Sequence, residues 1–345
     1  VYEEQFTAVS GVYYRLKVEG SIVLDDISLR QLAEGDIYSD EYTKPENLPL
    51  TDALTTASSV ETVGGKTYLL VNGEPVIPMW YARPENPILY EPHTVAEFAD
   101  AGVDTVVSYV FLNNLYGDVW TKDGFVPDAV DDMMLSTLAG NPDAKLIVAL
   151  DCNAPEWWCQ ENPGELAALS SSEPEKTNAS FASEKWKQES GEIMLQVVDY
   201  LMSRSYANQI IGFKVTGGYT LEWNWWAISG TTNDVGDFSR CGVDAFRSWL
   251  TEKYGTDAAL QKAWNDATVT LADVMPPSKE SRADDYWKTV ASIQDMPDFV
   301  DYEMYMAELK VDTIDYFAKL TKDAVDNRLL VGTYAGYFYM GGGYE

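Results

Sequence analysis

The spacing of apolar residues changes character twice along the chain. Residues 11–29 alternate polar and apolar positions: Gly11-Val-Tyr-Tyr-Arg-Leu-Lys-Val18, a Glu19-Gly20 turn, then Ser21-Ile-Val-Leu-Asp-Asp-Ile-Ser-Leu29. Period-two patterning around a tight turn predicts a β-hairpin. A lone hairpin is marginally stable in water, so residues 1–33 are expected to be the closing strands of a β-sandwich. Residues 34–64, with Lys44-Pro-Glu-Asn-Leu-Pro49 and Thr55-Thr-Ala-Ser-Ser59, show little periodicity and predict a polar linker. The third region, residues 65–345, is the main domain.

There the grammar is strand, helix, strand, helix. Near-continuous apolar runs predict strands at Val76–Tyr81, Asp104–Phe111, Lys145–Asp151, Ile210–Val215 and Leu329–Tyr339. Helical spacing fills the intervals at Thr94–Ala101, Ala129–Leu138, Lys185–Met202, Val243–Lys253 and Asp298–Asp323. Strands apolar on both faces and separated by helices predict an α/β fold with a parallel sheet. No GxGxxG or phosphate-binding loop follows the first strand, which weighs against a doubly wound nucleotide-binding sheet. Polar and aromatic residues gather instead after each strand, where a (β/α)8 TIM barrel builds its working face. Five strands are clear and a sixth is expected between residues 267 and 290. The barrel is therefore expected to be incomplete at its C-terminus, with the chain ending before a seventh and eighth strand.

Composition narrows the chemistry. The chain has 345 residues, 46% of them hydrophobic and 13% aromatic, in the range of a globular protein. Lys plus Arg number 24 against 55 Asp plus Glu, a formal charge of -31. Such a field repels phosphate backbones and anionic lipid, so neither nucleic acid nor membrane is an expected partner. It also weighs against a strongly anionic substrate such as a sulfated glycan, unless a local basic pocket overrides it. No run reaches the ~18 apolar residues of a membrane span. Cys152, Cys159 and Cys241 form no CxxC pair; free thiols are expected, with a Cys152–Cys159 bridge as the alternative. His93 is the single histidine, which leaves no material for a Ser-His-Asp triad or a His-rich metal site. No metal or cofactor is expected, and acid–base chemistry must come from carboxylates.

The segment Ile210-Ile-Gly-Phe-Lys-Val-Thr-Gly-Gly-Tyr-Thr-Leu-Glu222-Trp-Asn-Trp-Trp226 carries the strongest signal. An apolar strand breaks at Gly217-Gly218 and delivers one acid, Glu222, among Trp223, Trp225 and Trp226. That is how a barrel presents a proton donor to a sugar. Two further loops resemble it in composition: Trp80-Tyr81-Ala-Arg83 after the first strand, and Asp151-Cys-Asn153 with Trp157-Trp158 after the third. Aromatic faces stack on pyranose C–H faces, while Asn, Asp and Arg reach hydroxyls. Tyr81, Arg83, Asn113, Asp151, Trp157, Trp158, Trp223, Trp226, Tyr334 and Tyr337 are accordingly expected to line an oligosaccharide or polysaccharide cleft, with the tryptophans exposed. Hydrolysis of a glycoside needs two carboxylates, ~5–5.5 Å apart for retention and ~6.5–9.5 Å for inversion. Glu222 is the expected acid. Neither Asp151 nor the terminal Glu345 makes a convincing second.

These loops, together with Asn72-Gly-Glu-Pro-Val-Ile-Pro78, Phe246-Arg-Ser-Trp-Leu-Thr-Glu-Lys-Tyr-Gly255 followed by Leu260–Trp264, and Val331-Gly-Thr-Tyr-Ala-Gly-Tyr337, resemble clan A glycoside hydrolases of the family 42 β-galactosidase type. The resemblance covers roughly residues 68–340, and the hairpin at 11–29 is similar to the end of a carbohydrate-binding jelly roll. It implies a retaining, exo-acting β-galactosidase-like hydrolase with Glu222 as general acid/base. An endo-acting agarase-like enzyme and a non-catalytic glycan-binding barrel are the alternatives. The family's usual Asn before the acid is Leu221 here, its nucleophile would lie beyond residue 345, and its zinc cysteines are missing. The appended sandwich and the acidic surface together imply an extracellular or periplasmic protein. The oligomeric state is left open, a homo-oligomer being compatible with all of this.

Overall fold

A computed structural model describes residues 53–82, 92–168, 178–218, 221–223, 236–277 and 296–334. The expected sandwich strands (1–33) and the larger part of the expected linker lie outside the described residues, as do Arg83, Trp225, Trp226 and Tyr337.

The described chain opens with an antiparallel meander of β1 (Ser58–Val63), β2 (Lys66–Val71) and β3 (Glu74–Val76). Within the linker expected over 34–64, the described residues 53–64 thus contain a strand, β1. The β1–β2 turn is Gly64-Gly65, both at positive φ (60° and 78°), the geometry that aligns a two-residue hairpin with strand twist. The expected strand Val76–Tyr81 is divided. Pro78 sits in a tight turn closed by the Met79 N–H on the Ile77 carbonyl (2.7 Å), and only β4 (Tyr81–Ala82) joins the main sheet. Proline cannot supply the ladder N–H that a continuous strand requires here.

The remaining elements fall close to where periodicity places them. They run α1 (Pro92–Asp100), β5 (Thr105–Phe111), a short ribbon of β6 (Trp120–Thr121) and β7 (Gly124–Phe125), α2 (Asp128–Gly140), β8 (Lys145–Asp151), α3 (Glu156–Glu161), α4 (Glu184–Ser203), β9 (Ile210–Thr216), α5 (Arg240–Tyr254), α6 (Asp257–Trp264), α7 (Pro297–Ala324) and β10 (Leu330–Thr333). Three helix starts are capped by their own N-terminal hydroxyls. Ser183, Ser239 and Thr256 accept the N–H groups of Trp186, Gly242 and Ala259, each satisfying an orphan donor of the first turn.

β4, β5, β8, β9 and β10 form one parallel sheet, and the spatial order is the chain order. A doubly wound sheet reverses direction at a switch point; this sheet does not. Right-handed crossovers that always add to the same edge put every helix on one face, which is the winding of a barrel. The helix side is marked by Ser108, whose hydroxyl meets that of Thr137 on α2 at 3.2 Å. The opposite face carries Tyr109, Ala149, Lys214 and Gly332 in one register row. That face is curled. The hydroxyls of Tyr109 and Tyr334 meet at 2.9 Å although three strand spacings separate their strands, about 14 Å on a flat sheet.

Two anchors fix the sheet. Below it, the Ser58 hydroxyl donates to the Ile211 carbonyl, freed by a register shift between β8 and β9, and accepts the Leu330 N–H at 2.8 Å. Beside it, α5, α6 and the first half of α7 enclose a second core of Phe246, Leu250, Leu260, Val274, Tyr302, Tyr305 and Met306. Buried Asp301 ties that core together by accepting from Lys253 Nζ (2.8 Å), the Tyr254 hydroxyl (2.6 Å) and Trp264 Nε1 (2.8 Å). The sixth strand expected between 267 and 290 is absent from its described part, residues 267–277, which form turns.

Candidate active site at the strand ends

Glu222 stands six residues past the end of β9. The turn that carries it is closed by the Trp223 N–H on the Gly217 carbonyl at 2.7 Å. The residues on either side of the acid, Leu221 and Trp223, both have left-handed backbone (φ 61° and 59°). Bulky residues rarely adopt that conformation, which costs on the order of 1–2 kcal/mol each. Such strain persists only where the surroundings over-determine it. Here the determinant is Trp223. Its indole is fully buried, packs against Phe181 and Phe317, and donates to the Thr333 hydroxyl (2.9 Å) and the Val215 carbonyl (3.2 Å). Gly217 lets the ring in: a Cβ at that position would stand 2.8 Å from the Trp223 ring. The glycine thus seats a tryptophan, the tryptophan fixes the turn, and Glu222 is left partly exposed at the strand mouth.

Tyr334, after β10, closes the near side. Burial pushes its phenol pKa up; the Tyr109 hydroxyl draws it back, and the Glu222 carboxylate adds to the rise. Glu222 and Tyr334 therefore share an electrostatic neighbourhood.

Asp151 differs from what was expected of it. It ends β8 level with Phe111 and Thr216 and is completely buried. Oδ1 accepts the Asn153 N–H at 3.1 Å, while Oδ2 has no hydrogen-bond partner. Burial pushes its pKa from 3.8 to about 7, and the Asn153 contact only partly opposes this. With no exposed surface and a costly ionised form, Asp151 does not line an open cleft in this structure. Its neighbour Asn153 splices two strand ends, accepting the Gly218 N–H (2.9 Å) and donating to the Gly218 carbonyl (3.1 Å).

The expected exposed tryptophan cluster is corrected in the same way. Trp158 and Trp223 are buried. Trp158 donates to Glu189 of α4 at 2.6 Å. Trp157 is half-buried, with its indole N–H on the Trp120 carbonyl at 2.8 Å. The ring of Tyr81 stacks on Phe98 of α1 at 4.3 Å and so faces the helices. The side chain of Asn113 accepts the Leu115 N–H in a local turn (3.1 Å). All three cysteines are free thiols. Sequence reasoning passed over Tyr109, Trp80 as a separate contact, and Lys214; the last was visible as the one charged residue inside an apolar strand.

No protein-family model matches the chain, and no curated protein matches it by sequence. Solved structures do match it. A β-galactosidase from the psychrophilic Marinomonas ef1 shares 16% identity over 73% of this chain and 36% of its own, with a TM-score of 0.52. A GH42 β-galactosidase from G. stearothermophilus shares 13% over 74% of this chain and 35% of its own (TM-score 0.54). The catalytic domain of a β-amylase from Paenibacillus polymyxa shares 13% over 73% and 64% (TM-score 0.58). The likeness is one of fold. These neighbours are TIM-barrel glycoside hydrolases, the class that the sequence resembles, and this chain spans about a third of the length of the β-galactosidases.

Proposed function

We propose that this chain is the acid/base-bearing part of a retaining, exo-acting glycoside hydrolase of β-galactosidase type, cleaving terminal β-glycosidic bonds of oligosaccharides. Glu222 protonates the departing oxygen and then activates the water that completes hydrolysis. The observation that carries this reading is the way Glu222 is held. An acid at the C-terminal mouth of the fourth parallel strand, between two left-handed residues and above a buried tryptophan anchor, is kept in place at an energetic cost that a merely solvated side chain does not require. Asp151, the acid that ends the third strand, is buried with a raised pKa and is not assigned as the nucleophile.

The test is hydrolysis of p-nitrophenyl β-galactoside and of β-linked oligosaccharides by the full-length protein and its Glu222→Gln variant. Turnover lower by at least about 10²-fold in the variant, with monosaccharide as the wild-type product, supports the proposal. Oligomeric products move the assignment to an endo-acting, agarase-like enzyme. Sugar binding without turnover in either form leaves a glycan-binding barrel.

A further inference from the structure

One cation on the curled face has no role in the chemistry above. Lys214 lies in β9, in register with Ala149 of β8 and Gly332 of β10. Its Nζ sits 4.2 Å from the ring centre of Tyr334 and 4.9 Å from that of Trp80. These two rings come from opposite edges of the sheet, since Trp80 precedes β4 and Tyr334 follows β10. The hydroxyl of Tyr334 is held by that of Tyr109, so the ring under the ammonium is fixed. Trp80 remains 41% exposed, leaving surface for a ligand to stack on. Among the described residues no carboxylate pairs with Lys214, although acids outnumber bases 55 to 24 in the chain. Burial lowers its pKa, and ring faces compensate an ammonium less completely than a counter-ion does.

We propose that Lys214, Trp80 and Tyr334 form an anion-recognising subsite, and that the glycan bound on this face carries a carboxylate or sulfate substituent. This rests on the reading of the face as a glycan site. The net charge of -31 opposes anions at long range, but salt screens that field within about 10 Å. At contact the local ammonium dominates.

The experiment is calorimetric titration of the full chain with galactose, galacturonic acid and galactose 6-sulfate, repeated on Lys214→Gln and Lys214→Arg. Expected is an anionic sugar bound at least about 10-fold more tightly than galactose, the value of one charge-assisted hydrogen bond. The Gln variant should lose that preference while keeping its affinity for galactose, and the Arg variant should keep the preference. Which of the two anionic sugars wins names the substituent. Equal affinity for all three sugars, or a preference that survives in Lys214→Gln, overturns the subsite and leaves the glycan reading intact. No binding of any sugar overturns both.

Discussion

Replacing Asp151 by Asn isolates the energetic cost of a buried carboxylate. Below about pH 3.8 both the folded and unfolded chains hold the proton, and Asp151 adds no pH dependence. As pH rises from there, the unfolded chain releases its proton while the folded chain keeps it up to about 7. In that window the folded state binds more protons, so stability falls with rising pH. At about 1.36 kcal/mol per pH unit, a displacement from 3.8 to about 7 removes about 4 kcal/mol by mildly alkaline pH. Asn keeps the acceptor for the Asn153 N–H and cannot ionise. Its extra amide hydrogens add a cost that does not vary with pH. Urea unfolding of both proteins from about pH 4 to about pH 8 gives the difference directly, since all other titrating groups cancel. The Asn variant should gain about 4 kcal/mol relative to wild type across that range. Parallel stability curves would refute the reasoning.

Other consequences can be checked in parallel. Trp223→Ala should lose about 3–5 kcal/mol of stability, as a core aromatic does; a cleft tryptophan would lose less than about 0.5 kcal/mol. Gly217→Ala forces a methyl to within 2.8 Å of the Trp223 ring. It should cost about 1–3 kcal/mol and shift tryptophan fluorescence to the red. Asp301→Ala strips three donors of their acceptor. It should destabilise by about 3 kcal/mol, and retained stability would show that the second core does not depend on that hub.

How legible each element was follows from how its residues are buried. Lys145–Asp151 and Ile210–Thr216 are buried along nearly their whole length, so an unbroken apolar run marks their limits. α4 and α7 show helical spacing because each buries one stripe, α7 against the second core in its first half and against the sheet in its second. The β1–β2 hairpin escaped notice because most of its side chains are exposed, leaving Gly64-Gly65 as its clearest trace. The tryptophans were read as cleft residues for a related reason: a loop's composition does not record which way its rings turn. For Trp223 the decisive neighbour was Gly217, whose missing side chain opens the seat. Asp151 looked like a cleft residue from its place at a strand end, and only packing shows it sealed. Lys214 is a charge inside an apolar run, and such a charge has to be compensated by something, a signal that the sequence carries without naming the partner.

The most direct test of the central claim is the leaving-group dependence of hydrolysis by full-length protein and its Glu222→Gln variant, using aryl β-galactosides of graded phenol acidity. A proton donor matters most where the departing oxygen is basic. The quantity to compare is kcat/KM, which reports only the first, leaving-group-expelling step. The account predicts a loss in kcat/KM of at least about 10²-fold for the most basic phenols, shrinking toward none for dinitrophenol. For dinitrophenol kcat stays low, because the water-activating step is lost as well. A loss in kcat/KM independent of the leaving group, or no loss, would contradict the assignment of Glu222 as the acid.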